Sequence, residues 1–399
     1  MAAYWASPVP MSTPRHPTPL TLALLGDLIA FDSVSARSNR PLIDFVATRL
    51  SEWGIAAEIL PSPDGTKASL WATIGPPVDG GIVLSGHSDV VPVDGQAWSS
   101  DPFRLDIRDG RAYGRGTADM KGFIACVLAT AAAFRDAPLN RPVHIALTYD
   151  EEVGCIGAPL LLDWLGRQRP RPAIAFIGEP TGMGVVNAHK GILVAHSEII
   201  GVEAHSSLAH LGVSAVGLAG RAIALLHAIE SELSLTARDE RFEPARATIS
   251  VNRAGGGTAV NILAGHSWFE WDIRSIPSVD ARAVLDRFAA RLEAEIIGPV
   301  RQIHPSVSAT TRIIADAPAL APEPDGEAET LAKRLLATNE TRVVPFAAEA
   351  GQFQQAGLST VIVGPGSIEQ AHKADEFVDL DQLTRCEAFL TQLMATLAA

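Results

Sequence analysis

Short apolar runs that alternate with helical patterns constrain the fold of this chain more than any other feature of its sequence. Strand-like runs occur at 68–74, 82–85, 143–149 and 173–180, and the helical pattern "GFIACVLATAAAF" lies between the second and the third. Such alternation is typical of an α/β layer in which helices cover both faces of a sheet. It predicts a central mixed sheet flanked by helices.

A different pattern interrupts this alternation from residue 188 onward. The segment "KGILVAHSEIIGVEAH" alternates like a long strand, and a helix, two strands, a second helix and a last strand follow it. This order predicts an inserted α+β domain of βαββαβ, ferredoxin-like type, in which two helices pack on an antiparallel sheet. We therefore predict a flexible leader at 1–19, an α/β domain in two parts at 20–187 and 316–399, and an inserted domain at 188–315.

Charge and cysteine content exclude several classes of protein. Lys and Arg number 32 against 45 for Asp and Glu, so the net charge of −13 opposes binding to nucleic acid. The chain has no apolar run near the ~20 residues that span a bilayer, and its Pro-rich start, where Met11 is an alternative first residue, lacks a signal-peptide core. We therefore expect no membrane contact. The three cysteines form no C-x-x-C pair, which favours buried thiols in a reducing compartment such as the cytoplasm.

Acidic and histidine side chains follow the ends of the predicted strands. In chain order they are His87, Asp89, Asp119, Glu151, Glu152, Glu179 and His372. Strand-end loops of an open α/β sheet converge on one crevice, where so many carboxylates repel one another unless cations lie between them. Taken singly, a His-x-Asp pattern is also consistent with residues placed by chance at the surface or in the core, and two adjacent glutamates with a solvated pair. Together they predict a site for two divalent metal ions held by imidazole and carboxylate ligands.

Five motifs in order resemble the M20 metallopeptidase and deacylase family. They are "SGHSDVVP", "GRGTADMKG", "EEVG", "GEP" and "GPGSIEQAHKADEFV", and the resemblance covers nearly the whole chain after the leader. It implies a zinc-peptidase-like catalytic domain and an inserted lid and dimerisation domain that makes a homodimer. It also implies that the catalytic metal ions are zinc, with cobalt or manganese as alternatives.

The resemblance assigns a role to each of these side chains. His87 and Glu179 would bind one metal ion, His372 and Glu152 the other, and Asp119 would bridge both. Asp89 would orient His87 by accepting its second ring proton. Glu151 would be the general base, and the family also implies a cis peptide between Asp119 and Met120.

Further candidates lie in the inserted domain and near the C-terminus. The resemblance implies that His205 reaches the partner subunit's site, although a solvent-side histidine is the alternative. Asn261 and Arg274 would bind substrate, Arg274 through its α-carboxylate, unless Arg274 pairs with Asp272 or Glu270. Glu349 would favour a cationic substrate side chain, the alternative being a capping or surface glutamate.

The expected reaction is hydrolysis of the amide of a small N-acyl amino acid. "GPGSIEQAHKADEFV" is most similar to the members of the family that convert N2-acetyl-L-ornithine to L-ornithine and acetate, a step of arginine biosynthesis. N-succinyl-diaminopimelate, another N-acyl amino acid or a dipeptide are the alternative substrates. A binding protein without catalysis on the same scaffold is the alternative from a different class, and the retention of Glu151 argues against it.

Overall fold

The computed structural model describes residues 16–398. Most of the leader predicted at 1–19, including the alternative start at Met11, therefore lies outside the described residues. Its last residues belong to the fold, since Pro17 is buried and the Thr18 hydroxyl accepts a hydrogen bond from the N–H of Thr21. The first helix begins immediately afterwards, at Pro19.

The helices and strands are numbered here in chain order. The helices are α1 Pro19–Ile29, α2 Arg40–Glu52, α3 Lys121–Asp136, α4 Ala158–Gly166, α5 Ala215–Thr236, α6 Ala281–Leu292, α7 Gly298–Arg301, α8 Glu327–Leu335, α9 Ala350–Gln355 and α10 Leu380–Leu397. The strands are β1 Ala57–Pro61, β2 Ala68–Ile74, β3 Gly81–His87, β4 Asp106–Arg108, β5 Arg111–Tyr113, β6 Val143–Thr148, β7 Pro172–Ile177, β8 Val186–His189, β9 Gly191–Ile200, β10 Thr248–Gly256, β11 His266–Ser275, β12 Ser308–Ala317, β13 Arg342–Val344, β14 Ser359–Ile362 and β15 Phe377–Asp379.

An eight-stranded mixed sheet forms the centre of the molecule, with strand order β1-β2-β6-β3-β7-β14-β8-β13. The neighbours β6, β3, β7 and β14 are parallel, so their carboxyl ends lie at one edge. Every residue of β3 is buried, as expected for a strand covered on both faces. The predicted fold class, a mixed sheet flanked by helices, is confirmed.

Two apolar cores cover the two faces of this sheet. Ile82 and Leu84 of β3 pack into the larger core with α1, α2, α3, α8 and α10. Val83, which points to the opposite face, packs into a smaller core with α4 and α9. Because alternate residues of a strand face opposite sides, one apolar run supports both layers of helices.

A separate antiparallel sheet, with strand order β10-β11-β9-β12, forms within the inserted segment. Burial alternates strictly along the first nine residues of β9, because α5 and α6 cover only one face of this sheet. The elements β9, α5, β10, β11, α6 and β12 follow the predicted βαββαβ order. The predicted long strand ends at Ile200, however. Beyond Gly201 the backbone of Val202 pairs with Val213 instead, and a Cβ at Gly201 would lie 2.3 Å from the carbonyl oxygen of Val213.

The chain enters and leaves the inserted segment side by side. His189, the last residue of β8, donates its N–H to the carbonyl oxygen of Leu320 at 3.2 Å. The chain then returns to the large sheet first as β13, which pairs with β8, and then as β14, which lies between β7 and β8. None of the helices between residues 16 and 398 combines the length and apolarity needed to cross a bilayer.

Candidate metal centre

The parallel strands of the large sheet deliver the predicted ligands to one edge. His87 is the last residue of β3, Glu151 and Glu152 follow β6, and Glu179 follows β7. His372 lies in the loop after β14, where its φ is 62°, in the left-handed region. The carboxyl ends of parallel strands are where open α/β sheets bind ligands. The structure thus brings these side chains together, although they are far apart in sequence.

Asp119 lies between the two histidines. Its Oδ1 is 3.0 Å from Nε2 of His87, and its Oδ2 is 3.3 Å from Nε2 of His372. It precedes α3, and the Asp119–Met120 peptide bond is cis. One carboxylate with an oxygen directed to each imidazole has the geometry of a bridging ligand.

Each histidine has a further carboxylate beside it. Oε1 of Glu179 is 3.7 Å from Nε2 of His87, and Oε2 of Glu152 is 3.0 Å from Nε2 of His372. The Oε1 atom of Glu179 is buried and has no hydrogen-bond partner among the described residues. A buried carboxylate oxygen without a donor is costly unless a cation binds it. The donors therefore fit two divalent cations that share Asp119.

The carboxylates perturb one another strongly. Burial and the negative charge of Asp119 raise the pKa of Glu152 to about 8. Burial and the negative charge of Asp119 also raise the pKa of Glu151 to about 8, although the charge of His87 acts in the opposite direction. Hydrogen bonds to Asp119 and Glu152 raise the pKa of His372 to about 10. Bound cations would relieve the repulsion and keep the carboxylates ionised.

Asp89 differs from the prediction in how it orients His87. Nδ1 of His87 is 3.0 Å from the backbone carbonyl oxygen of Asp89 and 3.7 Å from its carboxylate, so the carbonyl is the nearer acceptor. The carboxylate is directed elsewhere, because it accepts the Ser35 hydroxyl at 2.7 Å and the N–H groups of Glu151 and Glu152 at 3.2 and 3.3 Å. Asp89 therefore links the backbone next to His87 with the turn that carries the two glutamates.

Glu151 has a neighbour that the sequence did not identify. The Cys155 thiol lies 3.4 Å from Oε1 of Glu151, within a turn closed by the N–H of Cys155 and the carbonyl oxygen of Glu151. Burial raises the pKa of this thiol well above its usual range, so it stays protonated and can donate. The sequence predicts a buried thiol at this position. Burial is found, but the spacing of four residues from Glu151 was the available signal for the contact.

Glu349 is buried at the site and is the N-cap residue of α9, although its side chain does not act as the cap. Its side chain is 1% exposed and makes no capping hydrogen bond to α9. Oε2 accepts the hydroxyl of Thr148, the last residue of β6, at 2.9 Å, and Oε1 has no partner among the described residues. Burial raises the pKa of Glu349 to about 7. The surface alternative is therefore wrong, and the capping alternative holds for the position of the residue but not for its side chain.

The predicted residues of the inserted domain lie apart from the metal centre. Among residues 16–398, His205, Asn261 and Arg274 make no hydrogen bond or ion pair with its ligands. His205 is exposed, and its Nδ1 lies 2.7 Å from the Ser207 hydroxyl. Arg274 is half-exposed, and its nearest acid is Asp272 at 3.9 Å. That distance makes a weak ion pair at most, so the guanidinium is free to bind another anion.

Comparison with known proteins identifies the family. The model of peptidase family M20/M25/M40 matches residues 83–396. The chain is 36% identical to acetylornithine deacetylase of Myxococcus xanthus, over 94% of this chain and 97% of that protein. It is 33% identical to acetylornithine deacetylase of Photorhabdus laumondii, with the same coverage.

Solved structures agree in fold. Aminopeptidase PepT of Bacillus cereus has a TM-score of 0.71 at 19% identity, covering 97% of this chain and 100% of that chain. The YXEP protein of Bacillus subtilis, described as a dinuclear metal binding peptidase from the M20 family, has a TM-score of 0.63 at 17% identity, covering 94% and 97%. Together with the match of the family model, these similarities show that the chain belongs to peptidase family M20/M25/M40.

Proposed function

We propose that this protein is a metal-dependent amidohydrolase that converts N2-acetyl-L-ornithine to L-ornithine and acetate. The observation that carries the proposal is Asp119, whose two carboxylate oxygens face His87 and His372 beside the half-buried Glu151. The names of the relatives that share 33–36% of the sequence support the choice of substrate. The reaction belongs to arginine biosynthesis, and the three free, buried cysteines fit the cytoplasm.

The metal ions we propose are two zinc ions, with cobalt or manganese as alternatives for the same nitrogen and oxygen donors. His87, Glu179 and Asp119 would hold one, and His372, Glu152 and Asp119 the other. When bound, such a pair polarises an amide carbonyl and makes water more acidic. Glu151 would take the proton of the attacking water and pass it to the departing amine, so one carboxylate serves both steps.

A panel of acylated amino acids tests this function. The protein, loaded with zinc and separately with cobalt, is incubated with N-acetylornithine, N-acetylmethionine, N-succinyl-diaminopimelate and a dipeptide, and the released amine is measured. We expect N-acetylornithine to have the highest kcat/KM. A higher value for another substrate would reassign the specificity within the family, and no release from any of them would favour the non-catalytic binding protein.

The buried carboxylate of Glu349 gives a prediction about specificity. Its unpartnered Oε1 can accept a hydrogen bond from a cationic substrate side chain. Charged hydrogen bonds contribute about 1.5–3 kcal/mol, so Glu349→Gln should lower the preference for N-acetylornithine over N-acetylmethionine by about 10- to 100-fold. The ratio of the two kcat/KM values measures this, and the neutral substrate is the internal control. An unchanged ratio removes Glu349 from substrate recognition.

We also propose that residues 188–315 form a lid and dimerisation domain, with catalytic parts at 20–187 and 316–399. The segment around His205 exposes the apolar side chains of Leu208 and Leu211, and Val260 and Ile262 are exposed in the loop that hydrogen-bonds to it. An exposed apolar cluster of this kind suits a subunit interface. His205 would cross that interface and donate to the oxyanion in the partner's site, while Asn261 and Arg274 bind the substrate.

Mixed dimers test whether His205 acts across subunits. Glu151→Gln and His205→Ala dimers should each be strongly impaired, because each lacks one group at both sites. After subunit exchange, a mixed dimer has one site with both groups intact, so activity should rise to roughly one quarter of the wild-type value. His210→Ala, which alters another exposed histidine of the same short segment, is the control and should keep full activity. No recovery on mixing contradicts a shared site.

A further inference from the structure

The carboxylate of Glu376 is held by a ring of donors next to the metal centre. It lies four residues after His372, and its side chain is 1% exposed. Oε1 accepts the N–H groups of Ala118 and Asp119 at 2.9 and 3.1 Å. Oε2 accepts the N–H of Gly116 at 3.0 Å and Nη1 of Arg115 at 2.7 Å. Glu376 thus fixes the backbone of the loop that carries the bridging Asp119.

Arg115 extends these contacts to two other loops. Its side chain is also buried, and Nη1 donates to the carbonyl oxygen of Lys373 at 3.2 Å. Nη2 donates to Oε1 of Gln96 at 2.6 Å and to the carbonyl oxygen of Pro92 at 3.4 Å. The Gln96 amide in turn donates to the carbonyl oxygen of His372 at 3.0 Å. The loops that bear His87, Asp119 and His372 are therefore joined by one hydrogen-bonded network.

We propose that Glu376 and Arg115 are positioning residues that assemble the metal centre before any cation binds. The inference rests on the metal centre of the proposed function but concerns residues that bind neither cation nor substrate. The His372 side chain is 53% exposed, so little packing holds the ring in place. Its ring lies against Asp119 and Glu152. Its backbone is held by Gln96, which donates to the carbonyl oxygen of His372, and by Arg115, which donates to that of Lys373. Asp119 is held in the same way through its N–H.

This arrangement explains why two full charges are buried at this point. A buried ion pair costs desolvation energy and is weak evidence for a role in stability alone. Here the carboxylate has four donors, three of them N–H groups of one loop, so the pair specifies the conformation of that loop. Residues that orient metal ligands in this way typically change metal affinity by about 10- to 100-fold when they are substituted.

The test compares two buried glutamates of the chain. Glu376→Gln alters the network, whereas Glu387→Gln alters a buried carboxylate that accepts hydrogen bonds from Thr18 and Thr21, at the start of α1. Zinc and cobalt dissociation constants are measured by calorimetry, and the cobalt absorption spectrum is recorded for each protein. We expect Glu376→Gln to weaken at least one cation by about 10- to 100-fold and to change the cobalt spectrum. Glu387→Gln should alter neither.

Amide hydrogen exchange of the metal-free proteins gives a second readout. The N–H groups of Gly116, Ala118 and Asp119 should exchange faster in Glu376→Gln than in the wild type or in Glu387→Gln, because they lose the charged acceptor. Wild-type exchange and wild-type cation affinities in Glu376→Gln would overturn the inference, even if the variant were less stable. Hydrogen exchange needs no cation, so it tests the inference independently of metal binding. If the wild type bound no cation, the proposed function would be refuted, but the exchange rates would still decide the inference.

Gln96→Ala provides the variant that keeps the buried ion pair. Gln96 is only partly buried, so its removal is expected to leave folding intact if Glu376→Gln proves unstable. Without its amide, the carbonyl of His372 loses its donor, and we expect weaker binding of one cation with little change at the amide of Asp119. Unchanged affinity for both cations in a folded Gln96→Ala would contradict the proposal.

Discussion

Glu151→Gln is expected to lower kcat by about 10²- to 10⁴-fold while the metal content of the protein stays the same. Glutamine has nearly the same shape and still accepts the hydrogen bond that the Cys155 thiol can donate, but it cannot take a proton from water. Burial raises the pKa of Glu151 to about 8 in the absence of cations, and bound cations would lower it toward the range in which an ionised carboxylate takes up a proton at neutral pH. Steady-state kinetics and metal analysis of the same sample give the two quantities.

The same variant separates two roles for Glu151. Ligand atoms of His87, Glu151 and Glu179 lie within 4.8 Å of one another, so Glu151 itself is close enough to contact a cation. If Glu151→Gln loses one cation along with activity, the residue is a ligand and not the base. Activity near that of the wild type would contradict both roles. Glu387→Gln is the control for replacing a buried carboxylate, and it should retain both activity and metal.

Asp119→Ala is expected to remove both cations and with them all measurable hydrolysis. Because Asp119 directs one oxygen to each histidine, neither site keeps its full set of ligands without it. Glu179→Gln and Glu152→Gln should each weaken mainly one cation. Calorimetric titration with zinc distinguishes these patterns. Two cations bound to Asp119→Ala with wild-type affinity would show that Asp119 is not the bridge.

Thermal unfolding follows from the same expectation. A cation that binds only the folded state stabilises it by about 2.7 kcal/mol when its free concentration is one hundred times the dissociation constant. The wild type should therefore unfold at a higher temperature in zinc than after chelation, and Asp119→Ala should show almost no difference between the two conditions. Differential scanning calorimetry of both proteins, with and without zinc, measures the effect.

Local patterns were sufficient to predict the elements that carry the ligands. The last helix, Leu380–Leu397, can be identified from sequence because its apolar positions repeat with a helical period. The helix predicted after the long strand of the inserted segment spans Ala215–Thr236, and the Ser214 hydroxyl, which accepts the N–H of Gly217, fixes its start. Short strands such as β8 and β13 were not predicted, because three or four residues carry too little periodicity.

The residues around the ligands were harder to predict than the ligands. His and acidic residues after apolar runs identify themselves by type and position, and the structure brings the predicted ligands together. Glu349 and Glu376 depend on partners about 200 to 260 positions away, Thr148 and Gly116. Because their burial and their hydrogen-bond partners depend on such distant residues, no local sequence pattern predicts them. The same is true of Asp89, whose carboxylate orientation depends on the turn at Glu151.

The central place of β14 sets an order for folding during synthesis. This strand lies between β7 and β8, so a gap stays open in the large sheet until Ser359–Ile362 has left the ribosome. The segment β9 to β12 completes its own sheet earlier in translation, in keeping with the sequential folding of domains on a growing chain. His372 emerges later still. The residues proposed to hold the two cations therefore cannot come together in a nascent chain before residue 372 has been translated.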